Sequence, residues 1–213
     1  RMMQLGPDRL AVRVVAGRHF DQYLQRARRM PLAVCLGNGA GVMLAAATSV
    51  ALGQNELQIA AALEPLRLVR AQTFDALIPA DCEFVLEGEI DLDERVPEGP
   101  FVDLTGTYDK VRREPVFTVK RITHRQGAIW QALLPGDREH RVMMGMPREP
   151  TIWREVNRAG VACRDVHINP GGCSWLHAIL QIDKRQSDDG RRALQAAFRG
   201  HRSSVATVLG VVA

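Results

Sequence analysis

The chain has 213 residues, of which 46% are hydrophobic and 5% aromatic, and a net charge of +4 from 28 Lys and Arg against 24 Asp and Glu. This is enough for one good core, or for one domain plus part of another. No basic stripe with interleaved aromatics points to nucleic acid, no apolar run reaches the ~18 residues of a membrane span, and no signal peptide is visible.

Met2 to Ala16 reads as two strands around the turn Gly6-Pro7-Asp8-Arg9, with Leu10, Val12 and Val14 alternating at a period of two. After Gly17-Arg18-His19, the residues Phe20, Tyr23, Leu24 and Ala27 fall at helical spacing, and Pro31 is expected to end that helix. Leu32 to Leu36 reads as a short buried strand. Gly37-Asn38-Gly39-Ala40-Gly41 lacks the Lys-Ser/Thr of a P-loop and the spacing of a dinucleotide fingerprint, so it reads as a turn before an apolar helix. Asn55 or Gln54 caps a further helix through Leu57, Ala60, Ala61 and Leu63. Strands are then expected at Leu66 to Ala71, Glu83 to Leu92, Pro115 to Thr123 and Ala128 to Leu134, and an exposed loop at Asp137 to His140. Glu83, Glu87 and Glu89 share one strand face, which reads as solvated.

From about Pro150 strand and helix alternate. A helix from Thr151 to Ala159 with a Thr cap precedes a strand from Val161 to Ile168 and the turn Asn169-Pro170-Gly171-Gly172. A strand from Ser174 to Ile182, a helix from Asp188 to Phe198 and a closing strand from Val205 to Val212 follow, as in the start of an α/β layer. The boundary falls near Arg148. The expected fold is therefore α+β: a barrel with inserted helices over 1–148, then the first part of a C-terminal α/β domain over 149–213. Arg1 at one end and an apolar strand running to Ala213 at the other suggest a fragment of a longer protein. Cys35, Cys82, Cys163 and Cys173 form no C-x-x-C and read as free thiols of a reducing cytoplasm.

Glu98 and Asp103 lie five residues apart in a stretch punctuated by Gly99, Pro100 and Gly106. Two acids sharing one cavity cannot both ionise freely, which makes one a proton donor near neutral pH. On spacing alone, a surface hairpin with two solvated acids explains the pattern more simply.

The motifs tip the balance. Pro97-Glu98-Gly99-Pro100-Phe101-Val102-Asp103-Leu104-Thr105-Gly106 resembles the acid-bearing loop E-G-P-[FY]-G-[DE]-x-x-G-Y of the UbiD family of reversible decarboxylases. It departs from that pattern at Val102, usually Gly, and at Thr107-Tyr108, where the family has Tyr directly after Gly. Pro79 to Gly88 resembles the family's V-P-A-x-[AS]-E-[IF]-V-[LI]-E-G strand, and Pro115-Val116-Phe117 with Arg121-Ile122-Thr123 resembles P-V-F-x-V-x-x-I-T. Gly17-Arg18-His19 and Gly53-Gln54-Asn55-Glu56-Leu57 match two further segments, with Ala51 where the second usually carries Pro.

The resemblance implies a split β-barrel of the flavin-reductase-like, FMN-binding kind and a non-oxidative decarboxylation of an aromatic or α,β-unsaturated acid with prenylated FMN. It implies Arg1, Glu98 and Asp103 as catalytic residues. Arg1 would grip the substrate carboxylate, Glu98 would tune its neighbours, and Asp103 would protonate the carbon left by CO₂. It implies His19 and Glu56 as ligands of Mn²⁺ or Mg²⁺ that clamps the cofactor phosphate, the family's third ligand being an Asn upstream of Arg1. Arg18, Ala47 and Thr48 are implied cofactor contacts, the last two beside a K⁺ ion. The implied partners are a small carboxylic acid, a UbiX-type flavin prenyltransferase supplying the cofactor, and further copies of the chain in a dimer or hexamer; this stretch alone is expected to be inactive. Two other readings remain at this point. One is a flavin-reductase-like barrel using ordinary FMN, which would not need the Glu98 and Asp103 pair. The other is a barrel module or subunit without decarboxylase activity of its own.

Overall fold

The structure is a computed structural model that describes residues 1–50 and 52–201 and the backbone of 208–212. The expected strand from Val205 is seen as Val208–Val212, its first part lying outside the described residues, as does Ala51. The chain divides into two compact units, one of residues 1–102 and 108–132, the other of 103–107 and 133–213.

The first unit opens with β1 (Met2–Gln4) and β2 (Arg9–Val12), then α1 (His19–Leu24), β3 (Arg29–Leu36), α2 (Ala40–Ala47) and α3 (Glu56–Leu63). A short ribbon of β4 (Leu68–Arg70) and β5 (Leu77–Pro79) leads into the long strands β6 (Phe84–Glu98) and β7 (Arg112–His124). The main sheet is antiparallel, in the order β1-β2-β7-β6-β3. Phe117, Ile90, Val12 and Leu24 are buried together, so α1 covers the middle of this sheet. Each such side chain contributes about 1.5–3 kcal/mol by leaving water.

Several sequence expectations are corrected here. The first helix ends at Leu24, and Pro31 sits inside β3, opposite Glu89. That strand is at the sheet edge, where a residue without an N–H leaves no ladder bond broken on the open side. The strand expected to end at Leu92 runs on through Glu98, so Glu98 closes a strand rather than sitting in a loop. Ala128 to Leu134 forms no strand; Ile129 N–H donates to Glu83 at 3.1 Å and the Trp130 ring stands 5.4 Å from Phe84. Gly88 allows the closest approach in the sheet, since a Cβ there would meet the Thr118 carbonyl oxygen at 2.0 Å.

Glu87 also departs from the solvated face expected for it. It is 1% exposed, because the chain between β4 and β5 folds over it. Its carboxylate accepts from Gln72 N–H at 2.8 Å, from Thr73 N–H at 2.7 Å and from the Thr73 hydroxyl at 2.8 Å.

In the second unit Asp137 caps α4 (Arg138–Gly145), a helix where an exposed loop was expected. Its Oδ1 takes the Arg138 N–H at 2.7 Å, satisfying a donor the helix itself cannot. Next comes α5 (Glu149–Arg158), which starts two residues before Thr151. Thr151 is not the cap, and its hydroxyl donates to the carbonyls of Arg148 and Gly200. Strands β8 (Ala162–Ile168) and β9 (His177–Asp183), helix α6 (Asp189–Gly200) and strand β10 (Val208–Val212) complete it, in the sheet order β10-β9-β8 with β9 and β10 parallel. Ile152 and Val156 of α5 and Ala193 and Ala197 of α6 pack on Leu180 and Val166. An antiparallel sheet in the first unit and a mixed one in the second, both with packed helices, make the fold α+β.

Burial raises the Glu87 carboxyl, but the bonds from Gln72 and Thr73 outweigh it and hold the group below the usual range. A depressed acid stabilises fully above its unfolded value of about 4.3 and loses that contribution as pH falls through the lower folded value. Glu87→Ala is predicted to cost about 3 kcal/mol. Glu87→Gln should flatten the acid limb of a stability-against-pH curve measured by urea unfolding; an unchanged limb would refute this account.

Candidate active site

Glu98 is 0% exposed. A buried carboxylate costs several kcal/mol unless a cation and hydrogen bonds meet it, and Arg1 meets it here. Arg1 Nε donates to Glu98 Oε1 at 2.7 Å, and Nη2 lies 3.4 Å from Oε2. The sheet order brings them together over 97 residues of sequence. Arg13 N–H donates to the Arg1 carbonyl at 3.0 Å and fixes its backbone, β2 pairs with β7, and β7 pairs with β6 up to Glu98 opposite Arg112.

Beyond Glu98 the chain turns at Gly99, whose φ of +100° only glycine adopts without strain. Phe101 then accepts from Asp109 N–H at 2.8 Å, and Val102 bridges to Tyr108. The Phe101 ring lies under the Arg1 guanidinium, 4.9 Å from ring centre to carbon. Asp109, which the sequence reading did not single out, takes Arg1 Nη2 at 3.1 Å and also accepts from Arg112. The Arg112 bond, with Arg1 adding to it, holds the Asp109 carboxyl down at about 2. Burial lowers the Arg1 value, but the bonds to Glu98 and Asp109 outweigh it and raise the group above its usual range.

Asp103 belongs to the second unit. There its backbone closes a tight loop, with Asp103 N–H to Thr107 O and Gly106 N–H to Asp103 O both at 2.9 Å. Its Oδ1 accepts from Leu104 N–H at 2.7 Å, and Arg141 Nε donates to the Leu104 carbonyl at 3.0 Å.

A second cluster lies within the first unit. Arg18 precedes α1 and His19 begins it, while Asn55 caps α3 so that Glu56 stands in its first turn. His19 Nδ1 is 2.6 Å from Glu56 Oε1. His19 Nε2 is buried and has no hydrogen-bond partner among the described residues. Ala47 ends α2 and Thr48 caps it, the Thr48 hydroxyl donating to Leu44 O at 2.8 Å. Arg18 donates to the hydroxyl of Ser49, so the end of α2 and the start of α1 are neighbours. An imidazole with an unsatisfied nitrogen beside a carboxylate is a donor set that fits Mn²⁺ or Mg²⁺. Among the described residues no group of three His, Cys, Asp or Glu converges, so this pair supplies two donors.

The chain belongs to the UbiD family. Residues 1–138 match the 3-octaprenyl-4-hydroxybenzoate carboxy-lyase Rift-related domain, and residues 141–213 match the C-terminal domain of the same carboxy-lyase. It is 41% identical to an anhydromevalonate phosphate decarboxylase of Methanothermobacter thermautotrophicus, over 95% of this chain and 49% of that protein. A decarboxylase of the same name from Methanosarcina mazei is 40% identical, again over 95% and 49%. In structure the chain resembles the UbiD-class enzyme HmfF from Pelotomaculum thermopropionicum, solved in complex with FMN, at a TM-score of 0.92 and 33% identity, covering 99% of this chain and 48% of that one. It also resembles the apo 3,4-dihydroxybenzoic acid decarboxylase AroY of Klebsiella pneumoniae, at 0.81 and 29%, covering 94% and 45%. The chain thus spans about half the length of the relatives it matches.

Removing Arg1 leaves Glu98 buried without its cation. For a fully buried pair the loss is about 3–5 kcal/mol; Arg1 is a quarter exposed, so Arg1→Met is predicted to cost about 2 kcal/mol. In a double-mutant cycle read by urea unfolding, adding Glu98→Gln should cost little more. Fully additive losses would show that the two side chains do not support each other.

Proposed function

We propose that this chain carries the acid-bearing and cofactor-binding part of a prenylated-FMN-dependent decarboxylase acting on an aromatic or α,β-unsaturated carboxylic acid. The observation that carries this reading is the Arg1–Glu98 pair, formed between the residue before the edge strand β1 and the last residue of β6, within the region that matches the family. Arg1 binds the substrate carboxylate, which a guanidinium can hold in a fixed plane. Glu98 keeps that guanidinium charged and in place. Asp103 delivers a proton to the carbon from which CO₂ has left, and its neutral acid form is the one that works. Bound prenylated FMN would supply the electron sink.

His19 and Glu56 would hold the Mn²⁺ (or Mg²⁺) that anchors the cofactor phosphate, with Arg18 beside it. Ala47 and Thr48 would contribute main-chain contacts near a K⁺ ion. The buried open nitrogen of His19 and the adjacent carboxylate support the divalent assignment. On this reading residues 1–148 form the split-barrel cofactor domain and 149–213 the first part of the C-terminal α/β domain. A UbiX-type flavin prenyltransferase supplies the cofactor in the cytoplasm, and the complete protein is a homo-oligomer; one HmfF neighbour was described as a dimeric form bound to prFMN. Relatives named for anhydromevalonate phosphate favour an acid that also bears a phosphate.

The test uses the full-length protein co-expressed with a flavin prenyltransferase. Asp103→Asn is predicted to abolish CO₂ release while the flavin absorption spectrum is retained, and His19→Ala to lower retained Mn²⁺ by at least about tenfold. Persistent CO₂ release in the first variant would remove Asp103 as the proton donor. Undiminished Mn²⁺ in the second would remove His19 as a ligand.

A further inference from the structure

Glu98 alone does not fix a guanidinium. The long Nη2 contact at 3.4 Å against 2.7 Å at Nε leaves a fork that can pivot about its Nε bond. Two other groups stop that pivot. The Phe101 ring faces the group, with the guanidinium carbon 4.9 Å from its centroid. Asp109 Oδ2 takes Nη2 from the side at 3.1 Å. Three supports fix a plane and the rotation within it, and Nη1 makes no hydrogen bond among the described residues.

Asp109 is itself held rigidly. Its N–H is bound to the Phe101 carbonyl at 2.8 Å, its Oδ1 accepts from Lys110 N–H at 2.9 Å, and Arg112 donates to the same Oδ2 that faces Arg1. The backbone bond ties Asp109 to the residue under the guanidinium, so both supports move as one piece. Asp109 lies outside the acid-bearing motif of the sequence, eleven residues after Glu98.

We propose that Asp109 is a positioning residue for Arg1: the second carboxylate of a clamp that turns the Nη1 edge of the guanidinium toward the substrate carboxylate. The substrate part of this statement rests on the decarboxylase reading above; the clamp does not. Asp109 touches no reacting atom and acts through Arg1 alone. Arg112 sets how firmly it does so, because both arginines draw on one carboxylate oxygen.

The experiment uses the full-length, cofactor-loaded protein with Asp109→Asn and Asp109→Glu. Two readouts are taken: exchange of the Arg1 Nε–H by ¹⁵N side-chain NMR, and kcat and KM for the acid. In Asp109→Asn the Nε–H is expected to exchange about tenfold faster, and kcat/KM to fall about tenfold, most of it in kcat, because a misaligned carboxylate is still bound. The melting temperature and flavin content should stay at wild-type values, and Asp109→Glu should recover a substantial part of both losses. Unchanged exchange in Asp109→Asn would overturn the proposal, as would a rate loss matched by a loss of folded or flavin-loaded protein. Failure of Asp109→Glu to recover either readout would do the same. If the wild-type protein releases no CO₂ from any acid, the decarboxylase reading falls, and the exchange of Arg1 by itself decides whether the clamp exists.

Discussion

A fully buried carboxylate at the end of a fifteen-residue strand sets the terms for the rest of the first unit. Water no longer solvates Glu98, so the fold must supply a cation and hold it there. Arg1, just before the edge strand β1, is that cation, although β2 and β7 stand between β1 and β6 in the sheet order. The register of β6 against β7 is therefore tied to the charge pair. A shift of one residue would turn Glu98 to the other face of the strand and away from Arg1.

Legibility followed the range of the interaction. The α3 cap and the turn at Gly6-Pro7 are short runs whose backbone chemistry is written in adjacent residues, and these were readable from the letters. Asp109 was not, because nothing in Tyr108-Asp109-Lys110 marks it. Its role arises when Phe101 and Asp109 pair and place it beside a residue 108 positions away. Glu87 failed for the same reason. A period-two pattern of acids reads as a wet face, and only the tertiary fold brings the amides of Gln72 and Thr73 down onto it. Ala128 to Leu134 shows the converse error. Its composition suits a strand, but the Ile129 N–H and the Trp130 ring are engaged by the side chains of Glu83 and Phe84.

The His19–Glu56 pair shows where a resemblance and a local reading part. Taken alone, each residue begins a short helix and has an ordinary role there, Glu56 offsetting the positive end of α3. The contact between them changes the physics, since a carboxylate 2.6 Å from Nδ1 fixes the ring orientation and leaves Nε2 as the open position. In the proposed reading both side chains would be ligands of one ion, and their contact already places them side by side.

The charges along the Arg1 corner alternate: Arg112, Asp109, Arg1, Glu98. Each interior member lies between two of opposite sign, and the four sum to zero. If Asp109 were paired to Arg1 alone, two full carboxylates would already neutralise one guanidinium twice over, and a third anion would be repelled. Because Arg112 shares Asp109, Arg1 keeps part of its positive charge for a further carboxylate while its orientation stays fixed. Orientation and residual charge are separate requirements on the same side chain, and the alternating row meets both. A lone Glu98 would leave the same net charge but not the orientation, because its single short bond lets the group pivot.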